Sequence, residues 1–373
     1  MRLAIVTHNV LRGDGQGRVN YEVARAALAD GVDVTLIADA IDEDLVDLGA
    51  RWIPIQPTFH DVILFKVREF AWRANRLLAR MEGEFDVVCG NGYVLTRPHH
   101  VNAAHFVHSA WLDSPAHPRR TLSGIRKIYQ GIYTRANVGW ERQAFRNANR
   151  IIAVSSIVRD QLVEIGVDAR RIQVISNGVD LDEFTPASVD RRALGLPSGV
   201  PLAFFAGDVR TQRKNLGTIL ETLPSVPELH LAVAGSLDGS PFPELAKQLG
   251  VEERVHFLGF RRDLPDLMRA ADVFILLSFY EPFGLVVLEA LASGTPVIAA
   301  RSVGASDCID DTCGRVIESN TDTRALKEAI ESILTFDADA SVRAREAASR
   351  HGWKQMADAY LDVFRNVSRR EES

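Results

Sequence analysis

The chain has 373 residues, of which 46% are hydrophobic and 25% charged, and its formal net charge at pH 7 is −6. That length suits two domains of ordinary size, and the composition is typical of a soluble globular protein. The negative net charge argues against a protein that binds nucleic acid over its whole surface, so no nucleic-acid partner is expected. No apolar run approaches the roughly 18 residues of a membrane span, and the first residues lack the apolar region of a signal peptide.

The three cysteines, Cys89, Cys308 and Cys313, form no CxxC pair. Isolated cysteines in odd number predict buried free thiols in a reducing compartment, with neither a disulfide framework nor a zinc site. We therefore expect a cytoplasmic protein.

Strand-like runs alternate with helical patterns along the first half of the chain. A helical pattern over Val19–Leu28 follows the first run after a glycine-rich turn. The predicted strands of this half are residues 3–8, 32–38, 85–91, 101–108 and 150–155. Such alternation predicts a parallel sheet that is covered by helices on both faces.

The same pattern begins again after residues 177–200, which are polar and rich in Asp, Pro and Gly. The predicted strands of the second half are residues 201–207, 229–235, 254–260, 273–278 and 296–300. Two doubly wound α/β units joined near residues 180–200 are the simplest interpretation.

Polar groups follow the carboxyl ends of predicted strands in both halves, which is where ligands of such sheets bind. These groups are Gly13–Arg18, His108, Arg213-Lys214, Gly235-Ser236 and Glu281. If the two sheets face each other, the groups converge on one cleft between the domains.

The first glycine-rich stretch, GDGQGRVNYEVARAAL at residues 13–28, begins like a dinucleotide-binding unit. It matches neither the GxGxxG motif nor the P-loop motif. A tight strand-to-helix turn and a close approach of the backbone to a ligand at a helix N-terminus both explain it.

Two adjacent cations, Arg213 and Lys214, lie between a predicted buried strand and a helix that begins near Asn215. A pair of cations there suits a diphosphate, because it would neutralise the charge that develops as a phosphate leaves. A solvated basic loop explains this stretch equally well when it is taken alone.

Two glutamates, Glu281 and Glu289, stand in the otherwise apolar stretch EPFGLVVLEALASGTPVIA. An uncompensated buried carboxylate is unfavourable by several kcal/mol, so each glutamate needs partners from the protein or from a ligand. The pattern predicts a loop through Phe283, a helix over Gly284–Ala292 and a helix-ending Gly294.

The first turn of this predicted helix suits an anion, because its amide groups have no helical partner. The amides belong to Gly284, Leu285 and Val286, and a glycine lets a phosphate approach the backbone closely. Glu289, five residues further along, would be satisfied by two vicinal ribose hydroxyls. Glu281, before the helix, would lie beside a transferred sugar.

At these residues the chain resembles a known family. Glu281 and Glu289 match the E-x7-E element of retaining glycosyltransferases with the GT-B fold, and the surrounding stretch looks like glycosyltransferase family 4 (glycosyl transferases group 1). Residues 150–184 resemble the end of that family's first domain, residues 17–38 its first helix and second strand, and residues 352–364 its terminal helix.

The resemblance implies a GT-B fold of two Rossmann-like, doubly wound α/β domains that face a central cleft. It implies an acceptor-side domain at residues 1–180 and a domain that binds the nucleotide sugar at residues 181–352. A C-terminal helix at residues 353–373 would return to the first domain.

The resemblance also implies roles for individual residues. Arg213 and Lys214 would hold the donor diphosphate and assist its departure, although the loop spacing leaves Arg210 as an alternative to Arg213. Glu281 would contact the donor sugar, and Glu289 the ribose. The other implied donor-binding residues are Gly17, Gly259, Phe260, Phe283, Gly284, Leu285 and Val286.

Among these residues, Gly259 and Phe260 would border the nucleotide base. His108 falls where the family has a histidine near the reacting sugar. Packing at the end of a strand is the other interpretation of His108.

The function implied is a retaining glycosyltransferase that moves a hexosyl unit from a nucleotide diphosphate sugar, UDP- or GDP-linked, to a hydroxyl of a saccharide or lipid-linked acceptor. Neither a cofactor nor a metal ion is expected, because Arg213, Lys214 and helix amides would balance the phosphate charge. Two other classes stay open. One is a GT-B nucleotide-sugar epimerase, which needs no acceptor, and the other is a non-catalytic nucleotide-sugar-binding protein.

Two segments of the first domain, residues 65–80 and 114–150, mix cations with aromatic and aliphatic residues. In the second segment eight Arg and Lys residues accompany a single acid, Glu141. Such segments suit peripheral contact with an anionic membrane at its inner face. Solvated helix faces that pack on the sheet explain them too, and a polyanionic acceptor is a third interpretation.

Overall fold

The structure is a computed structural model that describes residues 1–58 and 62–371. The chain forms two compact units. The first comprises Met1–Asp113, Pro118–Gly178 and Trp353–Ser373, and the second comprises Ser114–His117 and Val179–Gly352. Each unit is built on one parallel β-sheet.

The sheet of the first unit has the strand order β3-β2-β1-β4-β5-β6-β7, and all of its strand pairs are parallel. Its strands are β1 (Arg2–Val10), β2 (Asp33–Ile41), β3 (Arg51–Pro54), β4 (Val87–Asn91), β5 (His99–Ala104), β6 (Ala148–Ala153) and β7 (Ile172–Val174). The order reverses between β1 and β4, and a doubly wound sheet is expected to bind a ligand at the carboxyl ends of the two strands at such a reversal.

Helices connect these strands as parallel pairing requires. They are α1 (Gly15–Ala29), α2 (Asp44–Asp47), α3 (Ile63–Arg80), α4 (His108–Asp113), α5 (Pro118–Thr121), α6 (Gly124–Asn147) and α7 (Ser156–Glu164), with short 3₁₀ turns at Gly92–Val94 and Ala169–Arg171.

The alternation of side chains along β1 distributes its residues between two apolar layers. Leu3 and Ile5 belong to the cluster that contains buried residues of α1. Ala4 and Val6 belong to a second cluster, which includes Phe70 of α3. The sheet is therefore covered on both faces, as the sequence predicts.

The sheet of the second unit repeats this arrangement with the order β10-β9-β8-β11-β12-β13, and its pairs are also parallel. Its strands are β8 (Leu202–Ala206), β9 (His230–Ala234), β10 (Val255–Gly259), β11 (Val273–Leu276), β12 (Val297–Ala300) and β13 (Gly314–Ile317). Here the order reverses between β8 and β11.

The helices of the second unit are α8 (Leu216–Thr222), α9 (Phe242–Gln248), α10 (Leu264–Ala270), α11 (Leu285–Ala292), α12 (Thr323–Leu334) and α13 (Ala340–Ser349). Short 3₁₀ turns occur at Gln212–Lys214, Leu223–Ser225, Glu252–Arg254 and Gly304–Cys308. Gly294 ends α11 as predicted: its φ is +83° and its amide donates to the Leu291 carbonyl at 3.0 Å.

The last helix, α14 (Trp353–Glu371), packs in the first unit. Its buried residues Met356, Tyr360 and Phe364 join the apolar cluster that contains Leu3 of β1. The chain therefore returns to the first unit after it has completed the second. Residues 372 and 373 of the predicted terminal helix lie outside the described residues.

Six elements differ from the sequence prediction. The helix α1 begins at Gly15 and not at Val19, so the predicted glycine-rich turn is partly helical. The strand predicted at 101–108 is His99–Ala104, and His108 begins a helix instead of ending a strand. The prediction missed β3, β7 and β13, and it placed the start of α11 one residue early.

The three missed strands are short and lie at sheet edges. An edge strand has one neighbour and needs fewer apolar residues than an interior strand, so its sequence signal is weak. The three cysteines are buried and free, as predicted.

Candidate active site

The candidate site of the second unit lies where the strand order reverses. The loop after β8 carries Arg213 and Lys214, and the loop after β11 carries Glu281 and leads into α11. Parallel strands end at the same edge of a sheet, so these two loops meet although 67 residues separate Lys214 from Glu281.

Glu281 is the centre of an ion-pair cluster. Lys214 Nζ donates to its Oε2, and Arg213 Nη1 lies 3.3 Å from the same oxygen. The side chains of Lys214 and Glu281 are only 11% and 13% exposed. Burial by itself raises the pKa of Glu281, but the charges of Lys214 and Arg213 outweigh it, so the pKa lies below its usual value. The carboxylate is therefore ionised and opposed by two cations.

The turn that presents these cations is fixed by its backbone. Asn215 follows it with a φ of 56°, the one positive φ of a non-glycine among the described residues. Its Oδ1 accepts from Thr218 Oγ1 at 3.0 Å, and its Nδ2 donates to the Asn320 carbonyl. The amide of Phe279 donates to the Arg213 carbonyl at 2.9 Å, which ties the two loops together.

The structure distinguishes Arg213 from Arg210. Arg210 donates from both its backbone amide and its Nε to Asp208 Oδ1, at 3.0 and 3.1 Å, and its side chain is 58% exposed. Arg213 instead joins the cluster around Glu281. Arg210 is thus engaged within its own loop.

The loop before α11 forms backbone hydrogen bonds with the segment after β12, in the manner of two paired strands. The amide of Gly304 donates to the Glu281 carbonyl at 2.9 Å, and the amide of Ala305 donates to the Phe283 carbonyl at 2.7 Å. Gly284 caps α11 with a φ of +95°. A Cβ at this position would lie 3.1 Å from both Glu281 Cγ and Val303 Cγ1, so glycine is required by conformation and by space.

Glu289 is half-buried on α11, between the buried residues Leu288 and Ala290. The apolar stretch around Glu289 suggests a fully buried carboxylate, but the structure leaves this side chain partly exposed. Leu285 and Val286, in the first turn, are also half-buried. Phe283 is only 4% exposed, so a ligand at this loop would meet its backbone and not its ring.

The remaining donor-binding candidates of the sequence lie at separate places. Gly259 ends β10 with a φ of +68°, and Phe260 directly after it is 76% exposed. Gly17 lies inside the first turn of α1, where a Cβ would come within 2.9 Å of the Leu11 carbonyl oxygen. Gly17 is thus required by the packing of its own turn, and its contact with a donor stays a prediction.

His108, in the first unit, forms a buried pair with Glu141. Its Nδ1 lies 2.5 Å from Glu141 Oε1, and its backbone amide donates to Glu141 Oε2 at 2.8 Å. The rings of Phe106 and Tyr93 stand edge-on to the imidazole, at 4.8 and 5.4 Å between centroids. The carboxylate accepts, so Nδ1 carries the proton and Nε2 is left for another partner.

Sequence reasoning missed two residues that organise these sites. Asn215 stands directly before a helix, where asparagine often adopts left-handed backbone, and that signal was available. Glu141 is the single acid among eight cations in residues 114–150, which marked it as unusual without indicating its partner.

Solved structures of other proteins have a similar fold. They include WaaG, a glycosyltransferase involved in lipopolysaccharide biosynthesis (TM-score 0.73, 22% identity, 97% of this chain and 99% of that chain). Sucrose-phosphate synthase from Thermosynechococcus elongatus has a TM-score of 0.78 with 20% identity over 98% of this chain and 99% of that chain. The protein has the GT-B fold, which confirms the predicted fold class.

Two family models match the chain. Glycosyltransferase Family 4 covers residues 13–183, and Glycosyl transferases group 1 covers residues 187–351. The chain therefore belongs to glycosyltransferase family 4, as its resemblance at Glu281–Glu289 indicates.

Curated relatives carry the name D-inositol 3-phosphate glycosyltransferase. The protein from Xylanimonas cellulosilytica is 36% identical over 250 residues, which are 62% of this chain and 60% of that protein. The protein from Mycobacterium tuberculosis strain F11 is 28% identical over 97% of this chain and 70% of that protein. In the relatives from Xylanimonas cellulosilytica, Saccharomonospora viridis and Mycolicibacterium smegmatis, which are 33–36% identical, the match spans 60%, 59% and 54% of the relative's length.

Proposed function

We propose that the protein is a retaining glycosyltransferase that moves a hexosyl unit from a nucleotide diphosphate sugar to an acceptor hydroxyl. The observation that carries this proposal is the cluster of Lys214, Arg213 and Glu281 beside the glycine-capped start of α11. A donor diphosphate needs cations and amide groups where its charge grows as it leaves. Both lie at the reversal point of the second sheet, where a doubly wound sheet binds its ligand.

The reaction that suits this cluster breaks the bond between the sugar C1 and the diphosphate oxygen. The acceptor hydroxyl forms the new C1–O bond on the same face, and its proton passes to the departing phosphate oxygen. Arg213 and Lys214 stabilise the charge on the leaving diphosphate. Glu281 is ionised and engaged by both cations, so its role is to orient a sugar hydroxyl by accepting a hydrogen bond, and it is not the nucleophile.

The donor is proposed to be UDP- or GDP-linked, and Phe260 supplies an exposed aromatic face for the base. Among proteins of similar fold, Anabaena HepE (TM-score 0.71, 19% identity) has been solved with UDP and glucose. We propose that no metal ion takes part, because two cations and the helix amides already oppose the phosphate charge.

The carboxylates Glu289 and Glu281 provide the test. Glu289→Ala should weaken the binding of UDP or GDP itself, since the ribose loses its anchor. Glu281→Gln should largely spare nucleotide affinity and lower kcat, because it acts on the sugar. Calorimetric Kd values and steady-state kinetics separate the two effects, and an unchanged nucleotide Kd in Glu289→Ala contradicts the assignment.

Analysis of the reaction product distinguishes a glycosyltransferase from the two other classes of protein, the epimerase and the non-catalytic binding protein. An epimerase releases free nucleotide from the donor and does not need an acceptor. A non-catalytic binding protein binds the nucleotide sugar and shows no turnover with any acceptor. Transfer of the sugar to a second molecule, seen by mass spectrometry of the product, excludes both.

A finer part of the proposal is that the enzyme works at an anionic membrane surface. No helix among the described residues is long and apolar enough to span a membrane. Of the thirteen exposed large apolar side chains of the described residues, seven lie on α3 or on residues 118–132: Ile63, Phe65, Trp72, Leu122, Ile125, Ile128 and Ile132. The two helices touch, because the Leu64 amide of α3 donates to the Tyr129 hydroxyl of α6 at 3.4 Å.

The charges of this face complement an anionic bilayer. Ile125, Ile128 and Ile132 follow helical spacing on α6, and Arg126, Lys127 and Arg135 stand exposed among them. Residues 118–132 contain no Asp or Glu. Apolar side chains that enter the interface, together with cations that meet anionic headgroups, are the two features that bind a helix to a membrane surface. A lipid-linked acceptor fits this proposal.

A further inference from the structure

Four loops of the second unit meet at the carboxyl ends of four neighbouring strands, β8, β11, β12 and β13. Two of these loops carry the ion-pair cluster of the candidate active site. One residue of each loop belongs to a single hydrogen-bond network: Asn215 after β8, Ser278 after β11, Ser302 after β12 and Asn320 after β13.

Asn320 joins the two sides of this network. Its backbone carbonyl accepts from Nδ2 of Asn215, the left-handed residue that follows the turn of the two cations. Its own Nδ2 donates to the Ser278 carbonyl oxygen at 3.5 Å and to Ser302 Oγ at 3.4 Å. Asn320 is half-buried, and Asn215 is only 3% exposed. The carbonyl and the amide of one residue thus connect the loop of the cations with the loop of Glu281.

Ser302 holds the same carbonyl from a third loop. Its hydroxyl donates to the Ser278 carbonyl oxygen at 2.6 Å, within the ordinary range for two oxygens. Ser278 is fully buried, so the loss of these partners would be unfavourable. The next residue, Phe279, donates its amide to the Arg213 carbonyl at 2.9 Å. The bonds to the Ser278 carbonyl therefore fix the backbone that lies between the cations and Glu281.

The separation of the cations from Glu281 depends on this backbone. Lys214 Nζ donates to Glu281 Oε2, and Arg213 Nη1 lies 3.3 Å from the same oxygen. A largely buried ion pair is favourable only when its geometry offsets desolvation. A misplacement of about 1 Å at a reacting centre can lower a rate by about 10²-fold. Residues that set the distance between the two loops therefore bear on the rate of the reaction.

We propose that Asn320 is a positioning residue of the transfer reaction. Together with Ser302, it holds the loop of the two cations and the loop of Glu281 at the separation that the reaction requires. Its action on the charged side chains passes through the backbone of both loops. The inference rests on the proposed transferase function, because it assigns a task at the same cluster.

Removal of the side-chain bonds provides the first test. Asn320→Leu keeps the approximate size of the side chain and removes its amide, and Ser302→Ala removes the hydroxyl. We expect each variant to lower kcat about 3- to 10-fold, the scale for the loss of one hydrogen bond. The Kd of UDP or GDP should change less than kcat, because every group proposed to bind the nucleotide is still present. Steady-state kinetics and calorimetry measure the two quantities.

Further variants separate positioning from general structural support. The double variant, Asn320→Leu with Ser302→Ala, should lower kcat by less than the product of the single effects, because both side chains act on one carbonyl. Ser302→Thr keeps the hydroxyl and should recover most of the kcat lost in Ser302→Ala. The matched control is Ser319→Ala with Thr321→Ala, which removes two exposed hydroxyls beside Asn320 that lie 3.3 Å from each other. It should turn over like the wild type.

Hydrogen exchange tests the link between the loops without any catalytic reaction. In Asn320→Leu and in Ser302→Ala, peptides that cover residues 207–220 and 277–285 should exchange their amide hydrogens about 3- to 10-fold faster than in the wild type. Peptides of the first unit should exchange at the wild-type rate. All peptides of the control variant should do the same.

Failure of this inference and failure of the proposed function give different results. A protein that transfers no sugar to any acceptor contradicts the proposed function. A transferase whose kcat is unchanged in both single variants, or falls only in proportion to the folded fraction, keeps the proposed function and overturns the inference. A loss confined to the nucleotide Kd also overturns it. Unchanged hydrogen exchange in both loops contradicts the inference whatever the activity.

Discussion

Glu281 shows how a largely buried carboxylate can stay charged in the loop that follows a strand. Its carboxylate has two cations within reach, both from one turn, and that turn is fixed by the left-handed Asn215. A buried ion pair is maintained only when its geometry and further hydrogen bonds offset desolvation. In the proposed function the cations are thus held in place before a donor binds, which is the arrangement that stabilises a leaving group without reorganisation.

Removal of these cations should therefore impair catalysis. We expect Arg213→Ala and Lys214→Ala each to lower kcat/KM by about 10²-fold or more, the scale for the loss of one preorganised group. The double variant should be less active than either single variant. Steady-state kinetics with the nucleotide sugar donor measure this. If no metal ion takes part, as proposed, EDTA should leave the wild-type rate intact.

Arg210→Ala is the control for these variants. It removes a neighbouring cation of the same loop that is bound to Asp208 and does not reach Glu281. We expect nearly normal turnover from it. Near-normal turnover of the double variant, or an equal loss in Arg210→Ala, would transfer the phosphate-binding role away from Arg213 and Lys214.

The sequence predicted the arrangement of individual site residues only where those residues are close together along the chain. Glu281, Gly284 and Glu289 lie within one loop and one helix, so their order along the chain indicates their arrangement. The pairing of His108 with Glu141 spans 33 positions and depends on how α6 packs, which no local pattern encodes. The closure of the Arg213 turn by Phe279 is similarly a property of the fold.

At the level of elements, the interior strands were all predicted, and of the four edge strands only β10 was predicted. The interior strands β8, β9, β11 and β12 are buried along nearly their whole length, so each appears as a continuous apolar run. Edge strand β3 is at least partly exposed along its whole length, and β7 has only one residue that is not exposed. These residues form strands because they pair with a neighbouring strand in the folded protein, and their own sequence pattern does not indicate it.

The start of α11 makes a prediction about an element. Gly284→Ala should destabilise the protein by about 1–2 kcal/mol, because a non-glycine residue is unfavourable at positive φ. It should also lower turnover, since the added Cβ meets Glu281 Cγ at 3.1 Å and must displace the carboxylate or the loop. Thermal melts and kcat measure the two effects.

Gly239→Ala is the matched control for this effect. Gly239 has a φ of +73° in the same unit, and a Cβ there would meet nothing within 4 Å. It should lose similar stability and keep its turnover. If both variants lose turnover equally, the effect of Gly284→Ala comes from stability alone and the steric argument at Glu281 fails.

At the scale of the whole molecule, the six strands of the second sheet follow the same order as the first six strands of the first sheet, although the two halves of the sequence show no evident repeat. At the reversal of that order lie the ion-pair cluster in one unit and, in the other, a cavity whose lining includes His8, Asn91 and His108. The fold class was predictable because strand–helix alternation and the E-x7-E element point to the same architecture. The cavity was not, since its lining comes from β1, β4, β5 and α6 together.

The exposed apolar and cationic face of α3 and α6 makes a prediction about where the molecule works. Liposomes with a rising fraction of anionic lipid should pellet increasing amounts of the protein at low salt, and less of it at physiological salt. Ile125→Ser, Ile128→Ser and Ile132→Ser together should abolish pelleting, because they remove three apolar side chains that are 55–82% exposed. Since these residues are not in the core, the melting temperature should change little.

The matched control replaces three exposed apolar residues elsewhere, Val46→Ser, Val163→Ser and Val342→Ser, whose exposures are 45%, 43% and 53%. It should pellet like the wild type. A second variant, Arg126→Gln with Lys127→Gln, keeps the apolar residues and should lose the dependence on anionic lipid, because each nearby cation contributes about 1 kcal/mol at such a surface. No pelleting of the wild type at either salt, or equal loss in the control, means that this face is solvated and that the acceptor reaches the enzyme from solution.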